Sequence, residues 1–354
     1  MNVVFRVDAS VHIGSGHIMR CLVLAEELSS RGHSINFATR PQKGDFIEYI
    51  KSKGFPIIEL VRPYVYSSPS SSSDYTSWLQ IPWFEDAQDC ISKIGKTDLL
   101  IIDHYGLNKD WEIYMENALN CKVMVIDDLV RPHNCSLMLD QTLGRKQISY
   151  KEKNVSGEIL TGSNYALLAN KYSEFRPTTK NKITPDAFKI LVTMGAIDSQ
   201  NATLKVLRGL EAIKSISFKV TVLLSQKSPN FDEVKSFCER HSSFRHIDFT
   251  DEMPKLMSRH NLSIGAPGST SWERACLGLP TVIVPLADNQ IYIARKLVDY
   301  GAAIQLSYEK ISSDLEGALK DMTSNWLIFH EKALQITDGK GTIRVADEIE
   351  RLFE

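Results

Sequence analysis

The 354-residue sequence predicts an α/β protein made of two Rossmann-like, doubly wound domains in tandem. Three observations carry this expectation. Short apolar runs that end in polar residues alternate with segments of helical periodicity, the pattern of parallel strands covered on both faces. The alternation occurs twice. The two series are separated by RPTTKNKITPDA, residues 176–187, a polar, proline-containing stretch that reads as a linker.

The first series opens with a buried strand over residues 2–7. HIMRCLVLAEELSSRG follows with apolar residues at helical spacing and stops at Gly32. HSINFATR is the next strand, FIEYIKSKG a helix and FPIIEL a third strand. DLLIIDHY and CKVMVIDD are further strands with polar ends. Ligands of such sheets sit beyond the carboxyl ends of the strands. Asp8, Asp103, His104, Tyr105, Asp127 and Asp128 all fall there. YSSPSSSSDYTSW, residues 66–78, interrupts the series and reads as a flexible surface loop. The second series runs FKILVTMGAIDSQN, FKVTVLLS, FRHIDFT, NLSIGAPGS and PTVIVPL, with helices between. The tail from WLIFHEKALQ onward is helical and could pack on either domain. The expected boundaries are 1–175, 187–330 and a helical tail over 331–354. No repeat at a solenoid period is present.

Composition excludes several classes of function. A net charge of −2 gives no electrostatic footprint for nucleic acid. No run approaches the roughly 18 apolar residues of a membrane span, and MNVVFRVDAS lacks the pattern of a signal peptide. Six cysteines are scattered without a CxxC pair, as expected of reduced, buried thiols. The expectation is a soluble cytoplasmic protein with no nucleic-acid or membrane partner.

Two constellations carry the chemistry. RVDASVHIGSGHIMRC puts a glycine-rich turn at the start of a helix. As a dinucleotide fingerprint it fails: Met19 stands where the third glycine belongs, and the second strand ends at Arg40 instead of an acid. Backbone N–H groups at such a turn still favour an anion, although many βα turns hold glycine for turn geometry alone. His17 stands at the mouth of this turn. A helix N-terminus favours a neutral imidazole, able to take a proton from water; a capping or core histidine is the plainer alternative. The second constellation is GAPGSTSWERACLGLP, where Gly268, Ser269, Thr270 and Ser271 can hold a diphosphate. Glu273, read as lying in the first turn of the helix, can reach two ribose hydroxyls. PLADNQ ends another strand with polar side chains, and Asp103 is open to a direct or a structural role. HExxH and GxSxG are both absent, so neither a zinc site nor a nucleophile elbow is expected.

Together these motifs, with IPWFEDAQD, VIDDLVRPHNCSLMLDQTLG, NYALLANKY and PLADNQ, give the chain a strong resemblance, over roughly residues 3–300, to one family. It is the UDP-2,4-diacetamido-2,4,6-trideoxy-β-L-altropyranose hydrolases of pseudaminic acid biosynthesis, on the GT-B glycosyltransferase architecture. The resemblance implies two Rossmann-like domains facing across a cleft, with water in place of an acceptor. It implies His17 as general base and Ser10, Gly14, Gly16, Tyr105, Asn289 and Gln290 on the sugar side. Met253, Gly268, Ser269, Thr270, Ser271 and Glu273 are then expected to bind UDP. It implies no cofactor and no metal, a UDP-sugar as partner, and transient contact with neighbouring nonulosonate-pathway enzymes. The chain departs from the family at Ala196, where a second glycine is usual, at Pro267, where a small residue is usual, and in the serine-rich insert 67–73. A glycosyltransferase using an alcohol acceptor and a non-catalytic nucleotide-sugar binder are the rival readings.

Overall fold

The computed structural model describes residues 1–71, 73–177, 187–195 and 197–354. They form two units, Met1–Leu168 with Lys340–Glu354, and Ala169–Gly339. Ala196 and most of the expected linker lie outside the described residues.

In the first unit seven strands form one sheet: β1 (Asn2–Val7), β2 (Ser34–Thr39), β3 (Ile57–Glu59), β4 (Leu99–Asp103), β5 (Lys122–Ile126), β6 (Leu137–Asp140) and β7 (Glu158–Thr161). Their order is β3-β2-β1-β4-β5-β6-β7, and every pairing is parallel. Successive side chains of a strand point to opposite faces, and here both faces are covered. Val3, Phe5 and Val7 of β1 join Leu99 and Ile101 on one side, while Val4 joins Leu100 and Ile102 on the other. The strand order reverses between β1 and β4, a topological switch point where such sheets bind ligands. Val7 pairs with Asp103 across that point.

The second unit holds six parallel strands: β8 (Phe188–Thr193), β9 (Phe218–Leu223), β10 (Phe244–Ile247), β11 (Leu262–Gly265), β12 (Thr281–Ile283) and β13 (Ala303–Gln305). Their order is β10-β9-β8-β11-β12-β13, so the switch point lies between β8 and β11. The GAPGST turn leaves the end of β11, directly at that point. The doubly wound α/β class expected from the sequence is thus the observed one, once in each unit.

Three features differ from the reading of the sequence. Strands β6, β7 and β13 have four, four and three residues, too short for a period to show. The tail does not act as one piece. The helix Trp326–Leu334 falls in the second unit, whereas Gly341–Arg351 falls in the first. There Val345, Ala346 and Ile349 enter the core beside Leu24 and Leu28, and Arg31 bonds Asp347 and Glu350 at 2.7 and 2.8 Å. The serine-rich stretch is an ordered turn on each side of Ser72, which itself lies outside the described residues. Asp74 accepts from Ser70 N and Oγ at 2.9 and 3.0 Å and from Ser77 Oγ at 2.7 Å. Those donors hold its carboxyl down to about 2. Gln80 clamps both Ser67 N and Ser67 O at 2.8 Å.

Candidate active site

The chain leaves β1 through a turn closed by an isolated bridge between Ser10 and Gly14. Gly14 N donates to Ser10 O at 2.8 Å, and the Ser10 hydroxyl accepts from His12 N and Ile13 N, both at 3.2 Å. Gly14 has φ +78°, the left-handed region that favours glycine. Ser10 and Gly14 therefore build the turn. Gly16 opens the helix Gly16–Ser30, and His17 is its second residue.

His17 is buried to 8% exposure, and its Nδ1 lies 2.6 Å from Asp103 Oδ1 at the end of β4. Arg20, one turn along the same helix, grips the same carboxylate: Nε donates to Oδ2 at 2.6 Å and Nη2 to Oδ1 at 2.5 Å. Burial favours the neutral form of Asp103, but the charge of Arg20 and the hydrogen bonds from Arg20 and His17 outweigh it and hold the carboxyl well below the usual range. An ionised carboxylate only accepts, so the His17 Nδ1 carries the hydrogen, and in the neutral tautomer this selects, Nε2 is the acceptor. The Arg20 Nη2 contact to Nδ1 at 3.2 Å then follows from their shared carboxylate and is no hydrogen bond.

Two aromatic rings flank the imidazole. Tyr105 meets it edge-on at 4.6 Å and Trp78 at 5.9 Å, and Trp78 stacks on Tyr105 at 5.4 Å and 22°. The Tyr105 hydroxyl donates to Asp128, and Arg131 donates to the Tyr105 carbonyl at 2.6 Å while pairing with Asp127. Burial and the Asp128 charge push the Tyr105 phenol well above its ordinary value, so it stays protonated. Beneath the turn, Arg6 forks onto Asp8 at 2.6 and 3.0 Å and bonds Asp86 at 2.7 Å, and Arg40 bonds Asp86 at 2.8 Å. All four side chains are buried. His104 accepts from Gly106 N at 3.0 Å and turns Nε2 to within 3.2 Å of Asp8. Paired buried charges of this kind fix the start of the turn, because removing one partner leaves the other uncompensated.

In the second unit the helix after β11 runs Ser269–Cys276, with Gly268 before it. Gly268, Ser269 and Thr270 are partly exposed, and the Ser271 Oγ accepts from Gly268 N at 3.2 Å. Because the helix starts at Ser269, Glu273 is its fifth residue and lies beyond the first turn expected for it. Its Oε2 is buried with no hydrogen-bond partner among the described residues. Burial pushes its carboxyl up to about 6, against the pull of the Tyr172 hydroxyl and Arg274. Arg274 is buried under the same turn and donates to Ala266 O at 2.8 Å. Pro267 is buried in the turn. Met253 opens a neighbouring helix, Met253–Ser258, whose preceding residue Glu252 bonds Lys171 at 2.9 Å. Asn289 and Gln290 are the second and third residues of the helix Asp288–Asp299, and Gln290 Oε1 accepts from Leu286 N at 2.8 Å.

The structure therefore brings Ser10, Gly14, Gly16, His17 and Tyr105 to one switch point, and Gly268 to Glu273 to the other. Met253, Asn289 and Gln290 lie on other helices of the second unit. Reasoning from sequence left Arg20 out, although its i,i+3 spacing from His17 puts both on one helix face. It left Trp78 and Tyr172 out as well, and no local signal marks either. Among the described residues no helix is long and apolar enough to cross a membrane, and no three His, Cys, Asp or Glu side chains cluster as metal ligands would.

Comparison with known proteins agrees with this architecture. Residues 189–343 match the family model described as the glycosyltransferase family 28 C-terminal domain. The UDP-2,4-diacetamido-2,4,6-trideoxy-β-L-altropyranose hydrolase of Campylobacter jejuni is 27% identical over 87% of this chain and 100% of its own length. A Helicobacter pylori protein described as pseudaminic acid cytidylyltransferase and the same hydrolase is 25% identical over 68% of this chain, which spans 44% of it. The crystal structure of Acinetobacter baumannii MurG superposes with a TM-score of 0.65 over 99% of both chains at 16% identity. The fold is GT-B-like, and the resemblance read from the motifs is borne out.

Proposed function

We propose that the protein hydrolyses a UDP-linked 2,4-diacetamido-2,4,6-trideoxy sugar, UDP-2,4-diacetamido-2,4,6-trideoxy-β-L-altropyranose, in pseudaminic acid biosynthesis. The observation that carries the proposal is the His17–Asp103 pair at the first switch point, 2.6 Å apart with Arg20 locking the carboxylate. Supporting it are the names of the relatives. His17 Nε2 takes a proton from water as the water oxygen bonds to the anomeric carbon. The bond from that carbon to the diphosphate oxygen breaks, and its electron pair leaves with UDP. Asp103 stabilises the imidazolium that forms, and a single displacement inverts the anomeric centre. The GAPGST turn and the N-terminus of its helix receive the diphosphate, and the Arg274 cation beneath them favours the charge that develops there. Ser10, Gly14, Gly16, Tyr105, Asn289 and Gln290 line the sugar side, and Met253 meets the uracil.

The test supplies the UDP-sugar with water as the only acceptor and EDTA present. UDP release with an inverted free sugar is expected. The match to a glycosyltransferase domain over residues 189–343 favours a second reading, transfer to an alcohol. Release that requires an added alcohol acceptor supports that reading and overturns hydrolysis.

Glu273 gives a separate expectation. Its unpartnered Oε2 suits the ribose hydroxyls, and hydrogen bonds to a charged partner contribute about 1.5–3 kcal/mol each. Glu273→Ala is expected to weaken UDP binding by roughly ten-fold or more, seen mainly as raised KM. With its carboxyl pushed up to about 6, Glu273 takes on a proton as pH falls through that value and loses acceptor strength. Wild-type affinity should then fall toward that of Glu273→Gln, which has no carboxyl to titrate. Calorimetry with UDP and 2′-deoxy-UDP checks this. Equal binding of both nucleotides by wild type and by Glu273→Ala would remove the ribose role.

A further inference from the structure

We propose that the serine-rich turn is a positioning device for His17, acting through Trp78; the catalytic part of this inference rests on the base role given to His17 above. Trp78 ends the segment that a sequence reading treats as a loop, yet it is 8% exposed and lies against the two rings that matter. It stacks on Tyr105 and meets His17 edge-on, and Tyr75 meets both Trp78 and Tyr105 edge-on at 4.9 and 5.0 Å. The imidazole is therefore held by the Asp103 carboxylate at Nδ1 and by the adjacent Tyr105 and Trp78 rings.

The turn that carries these rings is braced from within and from below. Asp74 ties Ser70 to Ser77, and Gln80 ties Ser67 to Ser77 O at 2.7 Å. Gln80 has φ +69°, a left-handed conformation that a non-glycine residue adopts at a cost and that its own side-chain bonds compensate. From the body of the unit, Gln42 Nε2 donates to Trp78 O at 3.0 Å. Gly106, after the Tyr105 strand end, leaves room for the turn: a Cβ there would lie 2.8 Å from Tyr75 O. The Ser70 and Ser77 hydroxyls thus serve hydrogen bonds that shape the turn, and the aromatic pair at its end is the product. A base packed edge-on against two adjacent rings keeps one ring orientation, and a misplacement of about 1 Å can cost about 10²-fold in rate.

The experiment uses the full chain with Trp78→Leu, Trp78→Phe and Asp74→Ala. Two readouts are followed: steady-state UDP release, and the His17 side-chain resonance, assigned by its loss in His17→Asn. Trp78→Leu is expected to lower kcat by about 10- to 100-fold with KM and UDP affinity near wild type. The His17 resonance should move, because the ring current of Trp78 is gone. Trp78→Phe, which keeps an aromatic face, should recover part of both. Asp74→Ala touches neither ring and should reproduce part of the loss by loosening the turn. Wild-type kcat and an unmoved His17 resonance in Trp78→Leu overturn the proposal. A drop in kcat with equal loss of UDP affinity and of thermal stability also overturns it, since Trp78 would then serve the fold alone. A moved resonance in a protein that releases no UDP from any nucleotide sugar sinks the hydrolase reading and supports the positioning role of the turn.

Discussion

Replacing His17 with asparagine or leucine is expected to lower kcat by ~10² to 10⁴-fold, the contribution of a positioned general base. UDP affinity should change little, because the loop proposed to hold the diphosphate, Gly268–Ser271, belongs to the other unit. The expectation rests on one acceptor atom. Nδ1 is committed to Asp103 at 2.6 Å, so Nε2 is the nitrogen left to take a proton. Asparagine offers no atom of comparable basicity, and leucine none at all. Steady-state release of UDP, with calorimetry to confirm nucleotide binding, measures both quantities. Turnover near wild type in either variant removes His17 from the reaction.

Asp103→Asn should act on the same atom from the opposite side. The amide is nearly the same size, so the packing is kept, but it can donate to Nδ1 where the carboxylate could only accept. The imidazole then moves its hydrogen to Nε2 and can no longer receive one from water. In a histidine base held by an aspartate, this substitution costs up to ~10⁴-fold in kcat. A second effect accompanies it. Arg20 is 7% exposed and loses the charge it grips in two places. Breaking a buried pair by removing one partner costs about 3–5 kcal/mol, so a lower melting temperature is expected too. The two effects separate by assay: kcat measured well below the melting temperature reports the tautomer, and thermal unfolding reports the pair. Full kcat with a lowered melting temperature would show that Asp103 serves Arg20 and the fold but does not orient the base.

Much of this was legible in the sequence, for a physical reason in each case. A parallel strand covered on both faces must be apolar along its length, so β1, β4 and β5 appear as runs wherever five or six residues give the run room to show. A polar residue at the end of such a run lies at the carboxyl edge of the sheet, which is why Asp8, Asp103 and Tyr105 stood out as candidates. The glycine turn before His17 and the GAPGST turn before Glu273 are local features, written in consecutive residues.

Other features were not local, and only the tertiary structure decided them. Asp103 lies 86 positions from His17, and the two meet because β1 and β4 are neighbours in the sheet. No periodicity in either segment states that pairing. The partner that locks Asp103, Arg20, looks in sequence like an ordinary helical residue. Trp78 lies in a stretch whose composition argues for a solvated loop, because composition counts hydroxyls without saying what they bond. The tail reads as helix from its periodicity, but which unit takes each part depends on the apolar surface left open beside Leu24 and Leu28. The sequence by itself determined the two sheets and the residues at their edges, since backbone hydrogen bonding and burial act along the chain. Which of those residues touch was decided by strand order and packing, which act across it.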